Sequence, residues 1–175
     1  MAEQRGNEDT VYVLKAVGYD GTPIPGVFDE LQAGRARMGW SYEDHLDLRV
    51  IVAQWEAGQA LDAYEDEARK CCRRFLTDVE IGDYLFYPNQ PVRRQFAAVR
   101  VTGDYDYSPA DQALNRDFRS CRPCRLLTPK PINYHDAIVP PRPRGLLGVQ
   151  GAFFRPSDQR LFLEFLADLP TAGRR

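Results

Sequence analysis

The spacing of apolar positions changes several times along the chain, and each change predicts an element. "TVYVLKAV" (Thr10–Val17) is rich in β-branched and aromatic residues and reads as a first strand. "GYDGTPIPG" follows as a Gly/Pro-dense loop. "VFDELQAGRARMGWS" is irregular, punctuated by Gly34 and Gly39, with room for a short strand over Arg35–Met38. Ser41 and Asp44 are candidate N-caps of a helix whose apolar positions Leu46, Val50 and Val52–Ala53 recur near helical spacing until Gly58. A second helix is predicted from about Ala60 to Leu76, with Leu61, Tyr64, Ala68, Cys71/Cys72 and Phe75 three or four apart.

From Val79 the pattern becomes that of strands. "IGDYLFYP" is one, ended by Pro88. "QFAAVRVTGDYDY" is a longer one, broken at Gly103 where a bulge or bend lets the chain curl. "FRSCRPCRLLTP" continues the sheet, and Pro123 requires an edge or a bulge. "INYHDAIVPPRPRG" predicts a short helix and then a proline-stiffened turn, and "GLLGVQGAFFRP" a last strand. "SDQRLFLEFLADL" is the clearest helix, with Ser157 as N-cap and Leu161, Phe162, Phe165, Leu166 and Leu169 on one face. Strands in succession without intervening helices argue against a doubly wound sheet. The expectation is an α+β fold: a strongly bent antiparallel barrel or mixed sheet with helices packed outside. One domain over residues 10–170 suffices, with flexible ends at 1–9 and 171–175.

Composition narrows the setting. A chain of 175 residues can bury one proper core. No apolar run approaches the roughly 18 residues of a membrane span, and the start lacks the apolar stretch of a secretory signal. A cytoplasmic protein without a membrane partner is expected. The net charge of −2 is unevenly spread: residues 1–90 hold 9 Lys/Arg against 17 Asp/Glu, and residues 91–175 hold 14 against 8. Such asymmetry predicts a molecule with one basic face.

Candidate chemistry is sparse. The cysteines fall as Cys71-Cys72 and Cys121-x-x-Cys124, a spacing that fits no common zinc ribbon, and reduced, half-buried thiols are expected instead. No phosphate-cradling loop is present, and His45 and His135 lack the context of a metal or catalytic motif. None of Lys15, Lys70 and Lys130 follows an acidic residue in the manner of a restriction-type nuclease. No cofactor, metal or catalytic residue is expected; a nuclease or NTPase effector would be another chain. What stands out is an interleaving of rings and cations: Tyr84, Phe86, Tyr87, Arg93, Arg94, Arg100, Tyr105, Tyr107, Arg119, Arg122 and Arg125. The outward half of such a set offers cations to phosphates and rings to bases. Trp40, between Gly39 and Ser41, reads either as a core residue closing a strand-to-helix turn or as a pocket wall.

"IGDYLFYPN" followed by "RQFAAVRVTGDYDYSP" and "FRSCRPCRLL" resembles PUA-like domains of the EVE type, and so does Arg37-Met38-Gly39-Trp40-Ser41 ahead of the helices. The matching residues are Gly82, Asp83, Tyr84, Pro88, Val99, Val101, Gly103, Tyr105, Tyr107, Arg119, Arg122 and Leu127, and the likeness spans roughly Val11 to Pro131. Such domains occur in modification-dependent restriction proteins, where they read methylated bases. The resemblance implies a non-catalytic DNA-binding module that flips a modified base into an aromatic pocket, as the sensor of a restriction or antiviral defence system. It implies a pocket drawn from Trp40, Ser41, Arg37, Asp104, Tyr105, Tyr107 and Phe86. Phosphates would be held by Arg93, Arg94, Arg119, Arg122 and Arg125. Stacking contributes on the order of 1–3 kcal/mol per base, comparable to the cost of extrusion. The alternative is a protein-interaction or regulatory subunit that keeps the fold without binding a base.

Overall fold

The computed structural model describes residues 9–18, 20–40, 46–109, 114, 117–147 and 152–169. In chain order the elements are β1 (Val11–Leu14), α1 (Val27–Gln32), β2 (Arg35–Met38), α2 (Leu48–Glu56), α3 (Ala63–Thr77), β3 (Tyr84–Pro88) and β4 (Gln95–Val101). Then come β5 (Asp106–Tyr107), β6 (Ser120–Leu126), β7 (Ile132–Asn133), α4 (Pro141–Leu147), β8 (Phe153–Phe154) and α5 (Gln159–Asp168). The strands join one mixed sheet in the order β2-β6-β4-β3-β1-β8, with β5 added to β6 and β7 to β4. All pairs are antiparallel except β1 with β3.

The sheet is a strongly curled half-barrel. Tyr87 of β3 donates its hydroxyl to the Arg37 carbonyl of β2 at 3.1 Å, although β6 and β4 lie between those strands. In a flat sheet three inter-strand steps would hold them about 14 Å apart, beyond the reach of a tyrosine. The curl therefore closes towards the face that carries Tyr87, Leu85, Val99, Ala36 and Met38. α1 and α3 fill that concave side with Val27, Leu31, Cys72 and Phe75. On the convex side α4 and α5 cover Val11, Val13, Phe86, Phe96 and Ala98 with Leu147, Phe162 and Phe165. Helices thus occupy both faces and not only the outside: a half-barrel leaves its inner face open, and α1 and α3 cover it.

The break at Gly103 is the bulge foreseen there. β4 and β5 both pair with β6, but the register slips by two residues between Val101↔Cys124 and Asp106↔Cys121. Pro123 stands opposite the slip. Its carbonyl accepts the Thr102 N–H at 2.9 Å, so its absent N–H would also point to this side, where the bulge asks for no donor. A Cβ on Gly103 would lie 2.6 Å from the Pro123 ring, so the close approach demands glycine.

Other boundaries differ from expectation. α1 forms where irregular chain was expected, because Gly26 in the left-handed region starts a turn that buries Val27 and Leu31, four apart, on one side. Asp47 caps α2 by accepting the Arg49 N–H; Ser41 and Asp44 lie outside the described residues. α3 begins with a capping box between Asp62 and Glu65. Residues 132–133 are a strand and not a helix, because Ile132 pairs with Phe96, and the proline run itself opens α4 at Pro141. Asp158, not Ser157, precedes α5; Gln159 bonds both the N–H and the carbonyl of Val11, at 2.6 and 3.1 Å, in the way a neighbouring strand would.

Buried ion pairs tie α1 to the sheet. Glu30, about 3 % exposed, takes both Nε and Nη2 of Arg35 at 2.6 Å and a further bond from the Arg37 guanidinium. The Arg35 hydrogen bonds, followed by those of Arg37, hold its carboxyl below the ordinary glutamate range against the opposing effect of burial. The native state therefore binds fewer protons there, and the stabilisation is complete above about pH 4.3 and lost as the pH falls through the lower native value.

Gly103→Ala is expected to lower stability by about 1–3 kcal/mol through overpacking against Pro123, measurable by urea unfolding. Glu30→Gln, which leaves Arg37 buried without its carboxylate, is expected to cost about 3–5 kcal/mol at pH 7. The gap to the parent should narrow below about pH 4.3, which paired denaturation curves at pH 7 and pH 3 would show.

Candidate nucleic-acid interface

β2 ends at Met38, and Gly39 and Trp40 carry the chain off the sheet. Trp40 has φ 62°, in the left-handed region, where a bulky side chain is a rare outlier. Its half-buried ring packs on two clusters, the concave core and the group formed by Leu46, Ile51 and Ala68 between α2 and α3. α3 supports the segment directly: the Cys72 thiol, pushed well up by burial, donates to the Gly39 carbonyl at 3.6 Å.

Tyr105 reaches the same end of the sheet. Met38, two residues before Trp40, is opposite Ser120 on β6, and the Ser120 hydroxyl lies 3.1 Å from the Tyr105 hydroxyl. That hydroxyl also accepts the Leu48 N–H at 3.3 Å and faces the Asp47 carboxylate at 3.4 Å, while the Arg49 guanidinium lies 5.6 Å from the ring centroid. Burial first, then Asp47, raises its pKa above the ordinary tyrosine value, so the group stays a neutral donor at physiological pH. The bulge puts Tyr105 here; Tyr107 follows on β5, half-buried opposite Ser120. Trp40, Tyr105 and Tyr107 thus share one end of the β2–β6–β5 ribbon, whereas the exposed Asp104 lies further along β6, towards Arg122 and Pro123. Ser41 lies outside the described residues.

Three residues expected in the interface belong to the framework. Arg37 is about 3 % exposed, held by Glu30 and by the carbonyls of Ser108, Phe118 and Pro109 at 3.0, 2.9 and 3.3 Å. Phe86 is fully buried on the convex face against Phe96, Phe162 and Phe165, because strand alternation turns it away from Tyr87. Arg122, about 4 % exposed, lies over Phe75 and donates at 2.9 Å to the carbonyls of Phe75 and Leu76. It satisfies the orphan carbonyls at the C-terminus of α3, and a phosphate has no access to it.

The remaining arginines do not form one patch. Arg93 and Arg94 are exposed in the β3–β4 turn, just before β4. Arg125 is opposite Arg100 near the other end of β4, about 20 Å away at strand rise. It also projects from the face opposite to Cys124, a residue of the concave core. Arg119 alone adjoins the Trp40–Tyr105 end, half-buried just before β6.

A cationic group that strand reasoning passed over lies on α3. Arg69, Lys70, Arg73 and Arg74, with Cys71 and with Phe153 of β8, line a groove of about 360 Å³. The signal was in "ARKCCRR": cations at i, i+1, i+4 and i+5 fall on one side of a helix. Among the described residues no three of His, Cys, Asp and Glu come together, and the four cysteines form no disulfide. No helix among the described residues is long and apolar enough to cross a membrane.

No curated protein matches the chain. Among solved structures it is similar to the crystal structure of protein Atu2648 from Agrobacterium tumefaciens, with 14% identity over 90% of this chain and 91% of that one and a TM-score of 0.38. Residues 27–136, from α1 through β7, match the family model described as a domain of unknown function, DUF8426. That segment is more than half of the 175 residues and holds the Trp40–Tyr105 end of the sheet together with α3, and the chain belongs to the DUF8426 family.

Proposed function

We propose that this chain is a non-catalytic nucleic-acid-binding module that reads a modified, methylated base by stacking it on Trp40 after it is flipped out of DNA. The observation that carries the reading is the backbone of Trp40. A non-glycine residue in the left-handed region costs about 1–3 kcal/mol and persists only where the surroundings impose it. Here the conformation leaves the ring half-buried between the strand end and the α2–α3 pair.

The chemistry around it fits a base. Tyr105 provides a hydroxyl, held in place by the buried Ser120, and Tyr107 a second, half-buried ring. Burying one methyl group contributes at most about 0.8 kcal/mol, so discrimination depends on how well the modified base fills the slot beside Trp40. The restriction or defence setting, with an effector nuclease or NTPase on another chain, comes from the resemblance to EVE-type readers.

Fluorescence polarisation with duplexes that are unmodified, 5-methylcytosine, 5-hydroxymethylcytosine or N6-methyladenine at one site tests the reading. The expected result is tighter binding to one modified duplex, with the preference lost in Trp40→Leu, which retains an apolar side chain for the core. In a Trp55→Phe background Trp40 is the single tryptophan, and the preferred duplex should quench its emission. Equal affinity for all four duplexes, unchanged in Trp40→Leu, would return Trp40 to the core and favour the protein-interaction subunit.

A further inference from the structure

The cations of α3 form two tiers, Arg69/Lys70 and Arg73/Arg74, about 6 Å apart along the helix axis. They are only partly neutralised. Asp66 alone serves both Arg69 and Lys70, at 2.7 and 2.5 Å, and Asp78 is 3.7 Å from Arg74. No carboxylate is among the described residues that line the groove.

Trp55, at the end of α2, orders the tiers. It is 40% exposed, and the guanidinium carbons of Arg69 and Arg73 lie 4.7 and 5.1 Å from its ring centroid. Stacking fixes the planes of two long side chains that otherwise lose much rotamer entropy on binding; Arg69 spends Nε and Nη2 on Asp66, and Arg73 keeps its in-plane N–H groups for an oxyanion. The macrodipole explains cations in the last turn of a helix but not a tier one turn earlier.

The opposite side of the same helix holds the Trp40 segment. Ala68 packs in the cluster that Trp40 joins, and the Cys72 thiol bonds the Gly39 carbonyl. We infer that the α3 stripe is the phosphate-binding surface of this protein. Its two tiers, on the side of α3 away from Trp40, hold backbone phosphates of the duplex from which the base is taken, an assignment that rests on the base-reading function above. It replaces the dispersed strand arginines as the element that positions the duplex. Phosphate contacts of this kind set affinity and register without reading sequence.

The test is the salt dependence of binding to the same four duplexes between 50 and 200 mM salt, in the range where counterion release is pronounced. Arg73→Gln/Arg74→Gln should lower the slope of log K against log salt by about one, and adding Arg69→Gln/Lys70→Gln by about two in total. The ratio of modified to unmodified affinity should stay as in the parent. Far-ultraviolet circular dichroism and thermal melts of each variant identify any loss of fold, and Arg93→Gln/Arg94→Gln is the comparison. An unchanged slope in folded α3 variants with the base preference intact would overturn the phosphate assignment and leave the base reading standing. A reduced slope in a protein that binds all four duplexes equally would sink the base reading and support a phosphate surface alone. A parent protein that binds no duplex would overturn both.

Discussion

One buried guanidinium, that of Arg37, ties α1 to the end of β5 and the start of β6. Its Nε meets Glu30 of α1, and its other nitrogens meet carbonyls that follow β5 and precede β6. Its own backbone carbonyl receives the Tyr87 hydroxyl from across the curl. A cation at about 3 % exposure is tolerable only because each of its three nitrogens has an acceptor. The curvature of the half-barrel, the seat of α1 and the place where Trp40 leaves the sheet all depend on it. This explains why an arginine in a motif-like stretch beside Trp40 serves the scaffold and not a ligand.

α3 depends on a second arginine in the same way. Arg122 closes its C-terminus, and Tyr12 adds a hydroxyl to the Asp78 carbonyl at 2.9 Å. Burial lowers the pKa of Arg122 somewhat from its very high normal value, and nearby acids such as Asp104 oppose the shift, so it stays cationic at any physiological pH. The helix is thus held at both ends, by its capping box and by Arg122, while its inner face props Trp40 and its outer face carries the cations. The Trp40 segment and the cations are both positioned by one capped helix, as the proposed interface requires.

Much of this was legible in the residues. β1, β3, β4 and β6 and the helices α2, α3 and α5 follow from apolar spacing, and the Gly103 bulge and its partner Pro123 follow from their backbone chemistry. Periodicity could not find α1, whose six residues give less than two turns of pattern, or show that Ile132 would find β4. It identified rings and cations but not their directions. Phe86, Arg37 and Arg122 look the same in sequence as Tyr105 and Arg69, and only the curl decides which are enclosed. The α3 stripe was readable from its helical spacing; attention to the strands, where alternation sends cations to both faces, concealed it.

β1 lies between β3 and β8, in parallel with one and antiparallel with the other, and all four of its residues are buried. Its partners begin at Tyr84 and Phe153, so β1 is synthesised well before either strand that encloses it. The antiparallel set β2-β6-β4-β3, with α1 to α3, is complete by residue 126 and falls within the segment that defines the family. β1 covers the open edge of this set, and β8 and α5 cover β1 in turn, with Gln159 bonding the backbone of Val11. Pairings across such long sequence separations are the slow steps of folding. Until they are made, Val11–Leu14 is an unpaired apolar strand that a second nascent chain can capture as readily as its own sheet.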